Sequence, residues 1–368
     1  MGSLLAGNGV IIQYGGRDYL NSSIIKRAIS NTRAGRHPQH LYPKECADFI
    51  EALQKEHASV LRGEYDEYVV ASFDRSSLED FKRRYSVNRS YPVGEIGFED
   101  YFLMFELVYN KQGIENPNRY NERGVLKRMF LDAVYNQGRI EEVHGSFPPG
   151  FVSYLKEKDQ IFTTNYDSNL EAASGEEVHH LHGAFRILSE VYDPDSFRRQ
   201  VTDDILDGEV TDPGFPYLYS NCLVSYVGDL KSSSMKQSEQ ANRAMEKFAK
   251  GYREDPAIRK EIDSWPDDNA LTRRLKQAIR LKVERPDLEH AEQYPHRKLS
   301  EIAGELEILG LSPNNDSHLF AQILENDSIS EIVFNSFDQQ EEEDARRLFH
   351  GKRVVTKDVR DLWRAFEN

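Results

Sequence analysis

Ile161-Phe162-Thr163-Thr164-Asn165-Tyr166-Asp167-Ser168-Asn169-Leu170, followed by Val178-His179-His180-Leu181-His182-Gly183, is the stretch from which the fold is read. A short apolar run ends abruptly in polar residues, and the 17 positions from Asn165 to His182 allow a short helix and a return strand. Both side chains can then meet at one rim of a sheet. This run, Gln160 to Thr164 before Asn165, has counterparts bounded in the same way: Leu4 to Ala6 before Gly7-Asn8-Gly9, Leu223 to Val227 before Gly228, and Glu305 to Leu309 before Gly310, with Ile329 to Phe334 close behind. None is long enough for a helix, so each reads as a buried strand. Helical patterns lie between them, which is the alternation of an α/β fold, here a Rossmann-like, mostly parallel sheet with large helical insertions. In open sheets of this kind ligands bind beyond the carboxyl ends of the strands.

Working outward, the gap between the first two strands is far longer than an ordinary crossover. Pro43 to Arg62 carries Ala47, Ile50, Leu53 and Ala58 at near-helical spacing, Ser77-Leu78-Glu79-Asp80 has the form of a capping box that starts a helix, and Phe98 to Tyr109 and Gly124 to Tyr135 repeat the helical pattern. Residues 35–150 are therefore expected to be an inserted helical subdomain, with 1–34 and 151–368 forming the sheet domain. A second, more charged helical insertion is expected at about 232–288, broken by Pro256, Pro266 and Pro286, and Gln339 to Asp344 reads as a solvated helix start.

Composition removes several classes of function. The 368 residues include 62 Asp plus Glu against 47 Lys plus Arg, a net charge of -15, so a sequence-independent nucleic-acid binder, which needs a basic surface, is disfavoured. A mean hydropathy of -0.67, with no long apolar run, argues against a membrane span. Cys46 and Cys222 are the only cysteines, too few for a disulfide framework or a four-cysteine zinc site in one chain. No charge precedes Arg17, so a secretory signal lacks its basic segment, and Ala6 stands where a myristoylation signal requires Ser or Thr. A cytoplasmic location is expected.

Three polar clusters at strand ends carry the candidate chemistry. Gly7-Asn8-Gly9 lets backbone amides approach a phosphate at a helix start, although a dinucleotide fingerprint would need a third glycine where Ile12 stands, which disfavours a redox dehydrogenase; a tight turn with no ligand is the competing reading. Asn165 and Asp167 can orient a ribose or a water while His182, titrating near neutrality, moves a proton; helix capping by Asn165 and Asp167 is the competing reading. Leu309-Gly310-Leu311-Ser312-Pro313-Asn314-Asn315-Asp316 again runs a strand into a polar turn, whose Ser, Asn and Asp either bind ribose hydroxyls or cap the helix Ser317 to Glu325. The three together point to one ligand site. His179, His180 and His182 also allow a metal cluster, but positions i, i+1 and i+3 do not share one face of a strand.

Thr164-Asn165-Tyr166-Asp167 with Leu170, then Leu181-His182-Gly183, resembles the catalytic core of sirtuins, in which a Gln-Asn-Ile-Asp segment precedes a histidine-glycine pair after a similar gap. With Gly7-Asn8-Gly9 and Leu309-Gly310-Leu311-Ser312 through Asn315-Asp316, the chain looks most like the divergent sirtuin-like domains of bacterial anti-phage, abortive-infection systems. The likeness covers the sheet-forming half; both helical insertions lie outside it. Thr164 stands in place of the sirtuin glutamine, and two cysteines cannot build the zinc module of the deacetylating sirtuins, so no metal is expected and peptide deacylation is disfavoured.

The resemblance implies NAD+ as substrate, with the diphosphate against Gly7, Asn8 and Gly9 and the nicotinamide ribose near Asn165 and His182, supported by Asp167. Thr164, Tyr166, Gly310, Ser312, Asn315 and Asp316 complete the implied binding set. The activity implied is NAD+ hydrolysis to nicotinamide and ADP-ribose, depleting the cofactor of infected cells. Control is expected from a homo-oligomer, from an ATPase- or helicase-type partner subunit, or from a phage-derived activator. Two rival readings are a non-catalytic NAD+ or ADP-ribose sensor and a metal-dependent hydrolase or nuclease.

Overall fold

Strand β1 (Ser3–Ala6) is buried along its whole length, as a central strand covered on both faces must be. In a computed structural model, which describes residues 2–70, 72–114, 118–189, 212–268, 270–290 and 292–367, it pairs in parallel with β2 (Ile161–Thr163) on one side and β4 (Gly304–Leu309) on the other. Adding β3 (Val178–His180), β5 (Ile329–Ser336) and β6 (Val354–Asp358) gives, among the described residues, one six-stranded sheet in the order β3-β2-β1-β4-β5-β6. Every pairing is parallel. This is the Rossmann order, with its topological switch between β1 and β4.

Strand alternation sorts the core into two layers. Leu4 and Ala6 point into one hydrophobic cluster, Leu5 into the other, and Ile161 and Phe162 divide the same way. The first layer is filled by the helices between β1 and β2: α1 (Asn8–Gly15), α2 (Asn21–Arg33), α3 (Cys46–Leu61), α4 (Ser72–Arg84), α5 (Phe98–Gln112), α6 (Asn118–Tyr135) and α7 (Pro149–Lys156). Phe102, Phe105 and Phe130 of this segment are fully buried and share one cluster with Leu4 and Val10, so these helices and the sheet have a continuous core. After β2 come α8 (Asn169–Ser174), α9 (Gly228–Met235), α10 (Gln237–Glu254), α11 (Pro256–Asp263), α12 (Ala270–Glu284) and α13 (His296–Ser300). The second layer is covered by α14 (Ser317–Glu325) and α15 (Gln339–Leu348), while α16 (Val359–Glu367) returns Trp363 and Phe366 to the first.

Two expectations are corrected. Leu223 to Val227 is not a strand: Leu223 joins the second layer and Val224 the first, with Leu223 N–H bonded to the His182 carbonyl at 2.9 Å, so the run bridges the layers outside the ladder. An apolar run reports burial, and burial alone does not make a strand. Ser77 lies inside α4 rather than at its start, and its hydroxyl reaches the Val227 carbonyl at 3.4 Å. The break expected at Pro256 is present: α10 ends at Glu254 and Pro256 opens α11, with the Asp255 carboxylate accepting from Ala257 N–H at 2.8 Å. The α10–α12 helices close a small core of their own around Met245, Ile262 and Ile279. Among the described residues no helix is long and apolar enough to cross a membrane.

At the switch point two turns press together. Gly9 N–H donates to the Gly310 carbonyl at 2.9 Å, and a Cβ on Gly9 would stand 2.5 Å from the Gly310 Cα. Gly310 has φ +71°, and a Cβ there would meet Val10 N at 2.8 Å. Gly310→Ala should therefore combine a left-handed backbone, itself costing roughly 1–2 kcal/mol, with a backbone clash. The urea midpoint is expected to fall by more than the left-handed penalty alone; an unchanged midpoint would show that the turns are not in forced contact.

Candidate functional site

The carboxyl ends of β1, β2 and β4 open into a cavity of about 480 Å³, within the roughly 300–1,000 Å³ of small-molecule sites. Asn8, Thr164, Asn165, Tyr166, Asp167, His182, Asn315 and Asp316 all line it. The three strand-end clusters thus converge on one space. Gly7, Gly9, Gly310 and Ser312 do not line it: the glycines are consumed in packing the β1 turn on the β4 turn, and a Cβ on Gly7 would meet Leu311 at 2.5 Å. Ser312 instead closes its own turn, its carbonyl accepting from Asn315 N–H at 3.2 Å. Close approach of backbone to backbone, rather than of backbone to a phosphate, accounts for these glycines.

Asn165 is placed by the sheet. Its amide N–H donates to Thr163 Oγ1 at 3.0 Å, its Nδ2 to the Gly7 carbonyl at 3.3 Å, and its carbonyl receives His180 Nδ1 at 3.0 Å. It caps no helix, because α8 starts four residues later. Asp167 divides its two oxygens. Oδ1 accepts from Asn169 N–H at 3.2 Å and Nδ2 at 2.5 Å, the local capping role, whereas Oδ2 is buried with no hydrogen-bond partner among the described residues. Burial raises this carboxyl to about 6, although the bonds from Asn169 oppose the rise. Tyr166 is held by Phe185, whose N–H bonds its carbonyl at 2.9 Å and whose ring meets it edge-on.

The three histidines of the Val178 to Gly183 stretch separate. His179 packs on Phe162 and faces Glu177; His180 is locked between the Asn165 carbonyl and Glu171 Oε1, 2.9 Å away. Only His182 enters the cavity. There it meets His318, Nε2 to Nε2 at 3.0 Å, and Asp316, Oδ1 to Nε2 at 3.8 Å. The rival cluster of His179, His180 and His182, already disfavoured by their spacing, is thus not assembled. Burial first, then Lys231 and His318, hold His182 well below the usual imidazole range; burial and Lys231 push His318 down to about 3. Both rings are neutral at physiological pH. Gly183 follows at φ +86°, where a Cβ would meet the Asn221 carbonyl at 2.6 Å, so the histidine-glycine pair is fixed by packing.

Asp316 stands at the start of α14 with φ 52°, a left-handed conformation rare outside glycine, and its side chain makes no capping bond. Capping is therefore not its role. The cavity roof comes from the segment expected as an inserted helical subdomain: Glu99 and Asp100 of α5 and Arg84 of α4, with Lys231 of α9 beside them. Lys231 Nζ donates to Glu99 Oε1 at 2.5 Å, and burial raises Glu99 to about 7 against the pull of Lys231. Arg84 donates to Asp100 at 2.6 Å and Tyr85 OH to the same carboxylate at 2.7 Å. The overlooked signal was chemical: Glu99-Asp100 inside an aromatic, apolar run must either be solvated or be paired in the interior.

Comparison of the chain with protein-family models, with curated proteins and with solved structures finds no match. The site therefore stands on its own residues and geometry.

A buried carboxyl whose folded pKa is raised keeps a proton that the unfolded chain loses. Its stabilising contribution is full below about 4 and disappears as pH rises through about 6. Asp167→Asn, which keeps an acceptor for Asn169, should accordingly gain roughly 1 kcal/mol relative to wild type between pH 5 and pH 8. Urea denaturation of both proteins at the two pH values checks it; parallel pH dependences would show that Asp167 is ionised throughout.

Proposed function

We propose that the chain hydrolyses NAD+ at the bond between nicotinamide and ribose. The observation carrying this reading is the convergence of Asn165 and His182, 17 residues apart, on one enclosed rim together with the Asp167 and Asp316 carboxylates. The C1′–N bond breaks with its electron pair leaving on the pyridinium nitrogen, so nicotinamide departs neutral and positive charge appears at C1′. Ionised Asp167 and Asp316 favour that charge, since preorganised groups in a poorly hydrated site act strongly on charge that develops in the transition state. Asn165 orients the ribose or the attacking water. Water oxygen bonds to C1′, its proton passes to the His182–His318 pair beside Asp316, and ADP-ribose is released.

The surrounding charge also speaks to how the cofactor lies. Asp80, Glu99, Asp100, Asp167 and Asp316 outnumber Arg84 and Lys231 around the cavity. An acidic wall suits the cationic nicotinamide end, and the diphosphate would have to draw Arg84 or Lys231 from its present partner, Asp100 or Glu99. An enzyme that empties its own cell of NAD+ needs restraint, so control by self-association, by an ATPase- or helicase-type subunit or by a phage-derived activator, in the service of anti-phage defence, is part of the same proposal.

Nicotinamide release from NAD+ by purified protein tests the assignment. Asn165→Ala and His182→Ala should each lower the rate by about 100-fold or more while the chain stays folded, the scale of losing one positioned group. A fully active Asn165→Ala overturns the reading. Because Asp167 must be ionised to stabilise the cationic centre, the wild-type rate should rise as pH passes about 6. With both imidazoles already neutral, no limb near 6.5 is expected. An isolated monomer fully active at cellular NAD+ would contradict control by assembly.

A further inference from the structure

His182, Asp316 and His318 come from two separate strand ends, yet their ligating atoms all lie within 4.8 Å of one another. Two neutral imidazoles with Nε2 atoms 3.0 Å apart hold at most one proton between them. Whichever ring carries it, His318 Nδ1 is left buried with no hydrogen-bond partner among the described residues. Asp316 keeps a left-handed backbone while its carboxylate caps nothing and points toward the histidine pair. Two imidazoles, one carboxylate and an open side facing a cavity make up a donor set used by divalent zinc-class ions, whose catalytic and regulatory sites take three protein ligands and leave one position for water.

We propose that His182, Asp316 and His318 form a binding site for a divalent transition-metal ion of the zinc class, and that a bound ion excludes His182 from accepting a proton. Nitrogens about 2.0–2.1 Å from a tetrahedral ion stand about 3.3 Å apart, so the two rings open by a few tenths of an ångström, while the Asp316 carboxylate, 3.8 Å from His182 Nε2, swings in to complete the set. Charge is compatible too. Lys231 is adjacent, but it is already paired with Glu99, and Asp316 supplies a carboxylate to the ion. Hard cations such as Mg2+, which prefer oxygen ligands, should bind poorly. The ion bonds through lone pairs of the two Nε2 atoms, so both rings carry their proton on Nδ1, and any proton on Asp316 is released to solvent.

The binding claim is independent of the enzymatic reading, and only the exclusion claim rests on it. Full-length protein stripped with chelator is titrated with Zn2+ alone in competition with a chromogenic chelator, with Mg2+ as a second probe. Wild type should bind one Zn2+ per chain. His318→Ala, and Asp316→Asn as the isosteric variant in case the first misfolds, should each bind at least tenfold more weakly. His179→Ala, altering a histidine outside the cluster, should bind as wild type. A wild type that binds no Zn2+, or a pair of variants that bind as tightly as wild type, overturns the site. If the chain releases nicotinamide, saturating Zn2+ should stop release and chelator should restore it; release unaffected by Zn2+ overturns the exclusion while leaving the hydrolase reading intact.

Discussion

Where β1 and β4 part, the backbone of one turn rests on the backbone of the other. Gly7 N–H donates to the Leu309 carbonyl and Gly9 N–H to the Gly310 carbonyl, each at 2.9 Å. Each bond contributes only about 1 kcal/mol net, but the contact fixes geometry on both sides of the switch point. On one side the Gly7 carbonyl anchors the Asn165 amide. On the other, the chain leaving Gly310 turns through Ser312 into left-handed Asp316, which sets that carboxylate and His318 opposite His182. The site's two halves are therefore held in register by a seam no side chain could occupy.

Above the seam the constraint is electrostatic. Asp167, Glu99, Asp316, Lys231, His182 and His318 occupy one poorly solvated space, and burial pushes the acids toward neutrality and both imidazoles away from charge. Ionising such groups is costly unless a partner offsets it. The partners present, Lys231 for Glu99 and Asn169 for one oxygen of Asp167, leave Asp167 Oδ2 without a hydrogen bond among the described residues, while Asp316 has only the more distant attraction of Lys231 and Arg84. A cavity of this kind stabilises a cation brought into it, whether that charge develops on a ribose or arrives on a metal ion.

Much of this was legible in the chain. Buried parallel strands are continuous apolar runs ending at turn residues, so β1, β2, β4 and β5 show directly, as does the convergence of their polar ends. Strand β6 is half-exposed along its length and begins Val-Val-Thr-Lys, so its apolar signal is faint, while Leu223 to Val227 has the signal without the ladder. Gly7 and Gly9 read as phosphate contacts, and Gly310 as part of the same binding set, because sequence shows that a Cβ is missing without showing what fills its place. His318, Glu99 and Lys231 were overlooked for a different reason. Their partners lie 136 residues away for His318 and 132 for the Lys231–Glu99 pair, and no local pattern encodes such a distance.

The central claim is that this cavity breaks one bond of NAD+. Proton NMR of NAD+ incubated with the wild-type chain follows substrate and both products in one tube. The account predicts loss of the nicotinamide-ribose signals with nicotinamide and ADP-ribose appearing in equal amounts. NAD+ that binds to saturation and stays intact would contradict it.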